Sequence, residues 1–415
     1  MVMELHETET KKTAVLLAGV DLGEPDTEES LDELRELART AGAEVAGVIC
    51  QKRPAPDPAT CVGSGFLREM ADFCRDNDVD LIIFDRELSP IQLRNIEEAT
   101  DVRTIDRTML ILDIFAGRAR SNEGKLQVEL AQLKYMLPRL TGKGIAMSRL
   151  GGGIGTRGPG ETKLETDRRH IRRRIDSLKE KLGDVAMQRS RQRERRRRDG
   201  VVTMAIVGYT NAGKSTLLNA LTNAGVLSED MLFATLDPTA RALELPSGSS
   251  VMLVDTVGFI RRLPHHLIEA FKSTLEEAVQ ADVILNVCDC SSPVFRDHLR
   301  ITGRLLQELG ACDKPVITVL NKTDKADPDE IGGVEGVRIS AERGEGFDGL
   351  LEAIEKALPV QKARVTFLFP FSDIGQSALA RENGTVFAEE YTDNGLLLDC
   401  LVDAVTAQRL KQYLQ

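Results

Sequence analysis

Eight residues constrain the fold of this chain most strongly, because they follow a strand-like apolar run (201–207) and match a phosphate-binding loop. The sequence reads Gly208, Tyr209, Thr210, Asn211, Ala212, Gly213, Lys214 and Ser215, followed by Thr216. In the pattern G-x-x-x-x-G-K-[ST], backbone N–H groups and the following helix N-terminus face the β-phosphate, and the lysine reaches the β- and γ-phosphates. We therefore predict a P-loop in which Lys214 is catalytic and Ser215 ligates Mg²⁺.

Two further strand-end motifs complete a nucleotide site. After the strand-like run 251–254 come Asp255, Thr256, Val257 and Gly258; after 316–320 come Asn321, Lys322, Thr323 and Asp324. Asp255 can hold Mg²⁺ through water, and the Gly258 N–H can bond the γ-phosphate. The Asp324 carboxylate can accept both the N1–H and the N2 amine of guanine, a donor pair that adenine lacks. The sequence therefore predicts a site for GTP and GDP.

The remaining contacts of this site are predicted from two short segments. The segment Phe233, Ala234, Thr235, Leu236 and Asp237 offers Thr235 as the residue that caps Mg²⁺ and the γ-phosphate, with Thr239 as the second candidate. After the strand-like run 337–339, Ser340, Ala341 and Glu342 follow, and the backbone N–H groups of Ser340 and Ala341 can face the guanine O6. Gly258 and Thr235 join Lys214 as predicted catalytic residues.

Phe259 follows Gly258 at the position where Ras-like GTPases carry a glutamine that orients the attacking water. A phenyl ring cannot position water, so we predict slow intrinsic hydrolysis that a partner accelerates. Asn211 resembles the asparagine of GTPases that hold K⁺ beside the phosphates. The alternative is an asparagine that only braces the P-loop.

The chain of 415 residues is long enough for several domains, and its α/β alternation predicts an α/β fold. We predict an N-terminal domain with a small parallel sheet (1–105), a helical hairpin (106–198), a P-loop GTPase domain (199–360) and a small C-terminal α+β domain (361–415). Seven cysteines without a C-x-x-C pair indicate neither a disulfide framework nor a zinc site.

The net charge of -11 conceals a basic stretch over 161–198, where 15 Lys and Arg oppose 7 Asp and Glu. Leucines and isoleucines recur at heptad spacing in 126–137 and 164–185, which predicts an antiparallel hairpin with a glycine-rich tip at 141–160. The tip carries Lys143, Arg149 and Arg157 and no acidic residue, a composition suited to RNA. A solvated basic helix with a flexible glycine loop is the alternative. The G-x-G-x-x-G match at 153–158 lacks the strand that a dinucleotide site requires.

The run 151–171, together with 106–108, 124–133 and 233–239, strongly resembles the HflX family of GTPases. This resemblance implies binding to the large ribosomal subunit and its RNA, ribosome-stimulated GTP hydrolysis, and splitting or rescue of stalled or hibernating ribosomes under stress. Many members have Tyr-Ile-Gly-x-Gly-Lys where this chain reads 61–66 as C-V-G-S-G-F. A separate nucleotide site in the N-terminal domain is therefore not predicted.

The leading interpretation is a ribosome-remodelling GTPase, and the alternative is a GTP-gated scaffold or assembly factor with incidental turnover. An RNA-unwinding ATPase is a third reading, which the guanine-specific Asp324 opposes. The polar start of the chain lacks a secretory signal, and no apolar run is long enough to span a bilayer. We expect a cytoplasmic monomer with a peripheral membrane-associated fraction, no stable membrane insertion and no DNA partner.

Overall fold

The computed structural model describes residues 12–24, 26–140, 163–198, 201–222, 232–233, 239–261, 279–311, 313–329, 331–359 and 362–415. The chain divides into two compact units. The first comprises Met1–Met187, Asp230–Leu236 and Arg261–Lys272, and the second comprises Gln188–Glu229, Asp237–Ile260 and Ser273–Gln415. The predicted residues Lys143, Arg149, Arg157, Ala234, Thr235, Leu236 and Asp237 lie outside the described residues.

The first unit begins with a parallel sheet of order β2-β1-β3-β4. Its strands are β1 (Ala14–Asp21), β2 (Glu44–Lys52), β3 (Leu81–Phe84) and β4 (Arg103–Asp106), and its helices are α1 (Thr27–Thr40), α2 (Ser64–Asp76), α3 (Pro90–Thr100) and α4 (Arg107–Arg118). Strand β1 is buried at six consecutive positions, which explains its unbroken apolar sequence. Strand β4 was not predicted, because its four residues form no apolar run.

Two helices follow, α5 (Asn122–Met136) and α6 (Lys163–Arg198). Their predicted seams meet in one hydrophobic cluster, in which Leu130, Ile171, Ile175 and Leu178 are buried and Leu126, Leu133 and Leu182 are partly buried. The heptad spacing therefore predicted the pairing of these helices. The glycine-rich tip between them lies outside the described residues.

The second unit contains a six-stranded sheet of order β10-β9-β8-β5-β7-β6, which is parallel except for β6. Its elements are β5 (Val202–Gly208), α7 (Lys214–Thr222), β6 (Thr239–Glu244), β7 (Ser250–Asp255), β8 (Val283–Asp289), α8 (Phe295–Glu308), β9 (Val316–Asn321), β10 (Val337–Arg338) and α9 (Phe347–Ala357). The carboxyl ends of parallel strands form the edge where ligands bind in such sheets. All three predicted nucleotide motifs begin at this edge.

Residues 362–403 form a three-stranded antiparallel sheet of order β11-β13-β12. Its elements are β11 (Lys362–Phe369), α10 (Ser377–Asn383), β12 (Gly384–Thr392), β13 (Gly395–Asp403) and α11 (Ala404–Arg409). Phe367, Phe369 and Leu398 lie fully buried in its own core. The predicted fold class is thus confirmed for the parallel N-terminal sheet, the P-loop sheet and the C-terminal α+β part.

No helix in the described part of the chain is long and apolar enough to cross a membrane. Among the same residues, no cluster of three or more His, Cys, Asp or Glu side chains could hold a metal ion. Cys288 and Cys290 pack instead in a hydrophobic cluster with Phe295 and Leu320.

Candidate nucleotide site

Lys214 begins α7 and is 7% exposed. Its Nζ donates to the backbone oxygens of Tyr209 at 2.8 Å and Gly208 at 3.2 Å, so the ammonium group is held at the centre of the P-loop. Burial lowers the pKa of Lys214 to about 8, although nearby Asp255 favours the charged form. The negative charge of a bound phosphate would compensate the positive charge of this buried ammonium group.

This pKa predicts a pH dependence of nucleotide affinity. Phosphate binding needs the protonated amine, so above about pH 8 binding must take up a proton, and GDP affinity should fall by up to about tenfold per pH unit. Calorimetry between about pH 7 and 9, in two buffers of different ionisation enthalpy, measures both the affinity and the proton uptake. Lys214→Arg should give a flat profile, because a guanidinium group does not titrate there. A flat wild-type profile would contradict the assignment.

Asn321 connects the P-loop to the base-binding motif. Its Nδ2 donates to the Ala212 oxygen at 2.9 Å, and its Oδ1 accepts the Ala341 N–H at 3.0 Å. Gly213 has φ +86°, and a Cβ there would lie 2.3 Å from Asn321 Nδ2. Only glycine fits this position without displacing the amide.

The candidate Mg²⁺ site consists of Ser215 and Asp255. The Ser215 Oγ donates to Asp255 Oδ2 at 2.7 Å, and the Asp255 carboxylate is fully buried. A hydroxyl and a carboxylate are oxygen ligands of the kind that Mg²⁺ prefers, so these residues fit the ion. When bound, Mg²⁺ would neutralise charge on the β- and γ-phosphates.

The segment after Asp255 is bonded to the P-loop. The Thr210 N–H donates to the Phe259 oxygen at 2.7 Å, and the Phe259 N–H donates to the Gly208 oxygen at 3.0 Å. Phe259 is 1% exposed. Gly258 is pressed against the P-loop as well, since a Cβ on it would lie 2.8 Å from the Thr210 Cα and 2.9 Å from the Lys214 Nζ. Gly258, the predicted γ-phosphate donor, therefore lies beside Lys214, the predicted catalytic lysine.

The Asp324 side chain is held in place by a hydrogen bond within the protein. Its side chain is 4% exposed, and Oδ1 accepts the Ser340 hydroxyl at 2.8 Å. This hydrogen bond, with the charge of Arg343 as a smaller contribution, lowers the pKa of Asp324. The lowered pKa favours the ionised carboxylate, the form that the predicted contact with two N–H donors of guanine requires.

Lys322 and the Ser340–Ala341 turn have partners that sequence reasoning missed. Lys322 has φ 62° and pairs through Nζ with Asp289 at 2.8 Å, so the end of β8 helps to hold it. In the sequence, this ion pair was indicated only by the position of Asp289 at the end of a strand-like run. The Ser340 N–H donates to the Glu345 oxygen, and the Ala341 N–H donates to Asn321 Oδ1. To bind the guanine O6, one of these N–H groups would have to donate to O6 and to its protein acceptor at the same time.

The other predicted residues lie along the same edge of the sheet. Thr256 donates through its hydroxyl to the Ile206 oxygen at 2.7 Å, whereas Glu342 pairs with Lys325 at an exposed position. Tyr209 stacks on His298 of α8 with ring centroids 3.8 Å apart, a contact that no sequence pattern indicated. Thr239, the second candidate for capping Mg²⁺, is the first residue of β6 and pairs with Asp255.

A P-loop, an Asp-x-x-Gly motif and an Asn-Lys-x-Asp motif at the carboxyl edge of this sheet define a P-loop GTPase, an enzyme that hydrolyses GTP. Residues 28–116, 118–196 and 203–322 match the family models described as GTP-binding GTPase N-terminal, GTP-binding GTPase Middle Region and 50S ribosome-binding GTPase. The chain belongs to the HflX family of GTPases.

Two curated relatives and one solved structure are similar to this chain. The chain is 51% identical over 404 residues to GTPase HflX of Caldanaerobacter subterraneus subsp. tengcongensis, covering 97% of this chain and 94% of that protein. It is also 51% identical to GTPase HflX of Lacrimispora saccharolytica, covering 96% of each. A crystal structure of SsGBP with GDP is similar at a TM-score of 0.47 and 26% identity, over 83% of this chain and 98% of that one.

Proposed function

We propose that this protein binds the large ribosomal subunit in its GTP form and remodels ribosomes, splitting or rescuing those that are stalled or hibernating under stress. Hydrolysis to GDP then releases it. The observation that carries the proposal is Phe259, which is buried and bonded to the P-loop where a water-orienting side chain would stand. Such a site needs a partner for fast hydrolysis.

The charge of α6 supports RNA as that partner. The helix is 36 residues long, and positively charged side chains at Arg172, Arg173, Lys179, Arg195 and Arg198 are exposed. A helix of this length spans roughly 54 Å and can present its charges to several phosphates. Because the whole chain has a net charge of -11, the excess of Lys and Arg over 161–198 favours a specific polyanion contact over general attraction.

Hydrolysis measured with and without purified large ribosomal subunits tests the proposal. We expect slow turnover of free protein and a stimulation of roughly a thousandfold or more, as for other partner-activated GTPases. Small subunits provide the matched control. Equal rates in all three conditions would instead favour the GTP-gated scaffold or assembly factor, whose turnover is incidental.

The tip residues Arg149 and Arg157 are proposed RNA contacts, with Lys143. Replacing both arginines by alanine should remove about two phosphate contacts, weaken subunit binding and flatten its salt dependence, while GDP affinity stays unchanged. Cosedimentation at several salt concentrations measures this. Glu180→Ala and Asp184→Ala on α6, which remove charge of the opposite sign, serve as controls. Unchanged cosedimentation of the arginine variant would refute the contact.

We propose that Asn211 helps to hold K⁺ beside the phosphates. It has φ 60°, is exposed, and its amide makes no hydrogen bond to the described residues, so the bracing alternative has no contact to support it. A cation beside the phosphates would neutralise developing charge as an arginine finger does. Hydrolysis should be several-fold faster in K⁺ than in Na⁺, and Asn211→Ala should remove the difference. Equal wild-type rates in the two salts would exclude this role.

Further assignments follow from the same proposal. Thr235 caps Mg²⁺ and the γ-phosphate, and Phe233 to Asp237 belong to the GTP-binding residues. We also propose that the chain divides into four domains, with boundaries after residues 105, 198 and 360. We place the protein in the cytoplasm as a monomer, with a fraction at the membrane surface.

A further inference from the structure

The aromatic ring of Tyr209, the second residue of the P-loop, stacks on the imidazole ring of His298 in α8. The ring centroids are 3.8 Å apart, and the ring planes differ by 11°. Tyr209 is 6% exposed, so its ring is largely removed from solvent. Two rings that meet face to face at this distance leave the tyrosine side chain little freedom to tilt or slide. The P-loop is therefore braced against α8 at its second residue.

His298 is itself firmly held, because it lies near the start of a helix whose first residue is buried. The His298 N–H donates to the Val294 oxygen at 3.1 Å. Phe295, the first residue of α8, is 2% exposed and packs in a hydrophobic cluster with Cys288 and Cys290. The Cys288 thiol also donates to the Phe295 oxygen at 3.4 Å. The helix turn that carries the imidazole ring is thus fixed to the carboxyl end of β8.

The backbone of Tyr209 carries an acceptor for the predicted catalytic lysine. Its oxygen accepts the Lys214 Nζ at 2.8 Å and the Ala212 N–H at 3.3 Å. Tyr209 also forms a parallel β-bridge with Phe259, the residue after the predicted γ-phosphate donor. The stacked ring and the backbone oxygen belong to one residue. A shift of the ring that moves the Tyr209 Cα therefore also moves the peptide group that presents this oxygen.

The position of the Lys214 ammonium group matters more for the reaction than for binding. During hydrolysis the charge on the transferred phosphoryl group changes, and a fixed cation stabilises the new distribution only from the correct position. Misplacement of a catalytic group by about 1 Å can cost roughly a hundredfold in rate. A loosened Tyr209 oxygen would therefore weaken transition-state stabilisation more than nucleotide binding.

We propose that His298 is a positioning residue for GTP hydrolysis, which stacks on Tyr209 and thereby holds the backbone oxygen that orients Lys214. In this role the flat face of the imidazole ring is required, and its nitrogen atoms are not. The proposal rests on the GTPase activity and on contacts within the second unit, and it does not depend on a ribosomal partner.

Single-turnover hydrolysis at saturating GTP, measured without ribosomes, tests this role. His298→Gln removes the ring but keeps a polar side chain, and the rate should fall about tenfold. GDP affinity and the GTP concentration that gives the half-maximal rate should change less than about threefold, because the loss is confined to the transition state. His298→Phe keeps a flat ring without nitrogen atoms and should restore most of the rate. Arg304→Gln, at an exposed position of α8, should behave as wild type.

A double-mutant cycle assigns the loss to the stack itself. Tyr209→Leu should lower the rate about as much as His298→Gln, and the double variant should be no slower than either single variant. In NMR spectra of histidine-labelled protein, the Tyr209 ring should shift the His298 ring protons upfield, and Tyr209→Leu should remove this shift.

Five results would each overturn the proposal. The first two are a wild-type rate for His298→Gln and a rate for His298→Phe as low as that of His298→Gln. The others are a loss of GDP affinity in His298→Gln that parallels the loss of rate, additive losses in the double variant, and the absence of the upfield shift in the wild type.

Discussion

Asp324→Asn should weaken GTP and GDP binding by roughly a thousandfold, because the amide presents a donor to the N1–H or the N2 amine of guanine. Xanthine carries a carbonyl oxygen in place of that amine, so the same amide can donate to it. The variant should therefore prefer XDP to GDP. The effect is expected to be large because Asp324 is 4% exposed and its carboxylate is held in place by the Ser340 hydroxyl.

Equilibrium titrations with fluorescent GDP and XDP measure this change of specificity. Asp329→Asn, the same substitution at an exposed residue five positions along the chain, should leave both affinities unchanged. If Asp324→Asn kept its affinity for GDP, guanine would have to be read by other groups. The assignment of the Asn-Lys-x-Asp motif as the base-binding element would then be wrong.

Gly258→Ala is the second change with a large expected effect. The new Cβ would lie 2.8 Å from the Thr210 Cα, a backbone atom that cannot move away without disturbing the P-loop. The Gly258 N–H would be displaced from the γ-phosphate, and loss of one such donor costs about 10²- to 10³-fold in rate. GDP affinity should change little, because GDP lacks the γ-phosphate.

Single-turnover hydrolysis and GDP binding separate these two effects. Gly303→Ala provides the control, since it lies in α8 with nothing within 4 Å of its Cβ position. A parallel loss of GDP affinity and hydrolysis would indicate a collapsed site rather than a lost γ-phosphate contact. A variant that hydrolyses GTP at the wild-type rate would remove Gly258 from the catalytic residues.

Local patterns predicted most of the secondary structure and the edge of the sheet where the nucleotide motifs meet. Strand-end motifs are predictable because parallel strands bring their carboxyl ends together. The seam of α5 and α6 was likewise predictable from heptad spacing, because Leu130 and Ile175 can be buried only against another helix. These features depend on short stretches of sequence and on one-dimensional periodicity.

Contacts between distant parts of the chain could not be predicted in this way. Nothing in the sequence near Arg107 indicates that its guanidinium group meets the backbone of Arg261, 154 residues away. The pairing of Lys322 with Asp289 and the bonding of Phe259 to the P-loop depend on strand order, which local patterns do not determine. Each of these contacts is set by three-dimensional packing.

Sedimentation of intact ribosomes with this protein tests the central claim most directly. With GTP or a non-hydrolysable analogue, we expect dissociation into subunits, with the protein remaining on the large subunit only when the analogue is present. With GDP, the ribosomes should stay intact and the protein free. Intact ribosomes and unbound protein in all three nucleotide conditions would contradict the account.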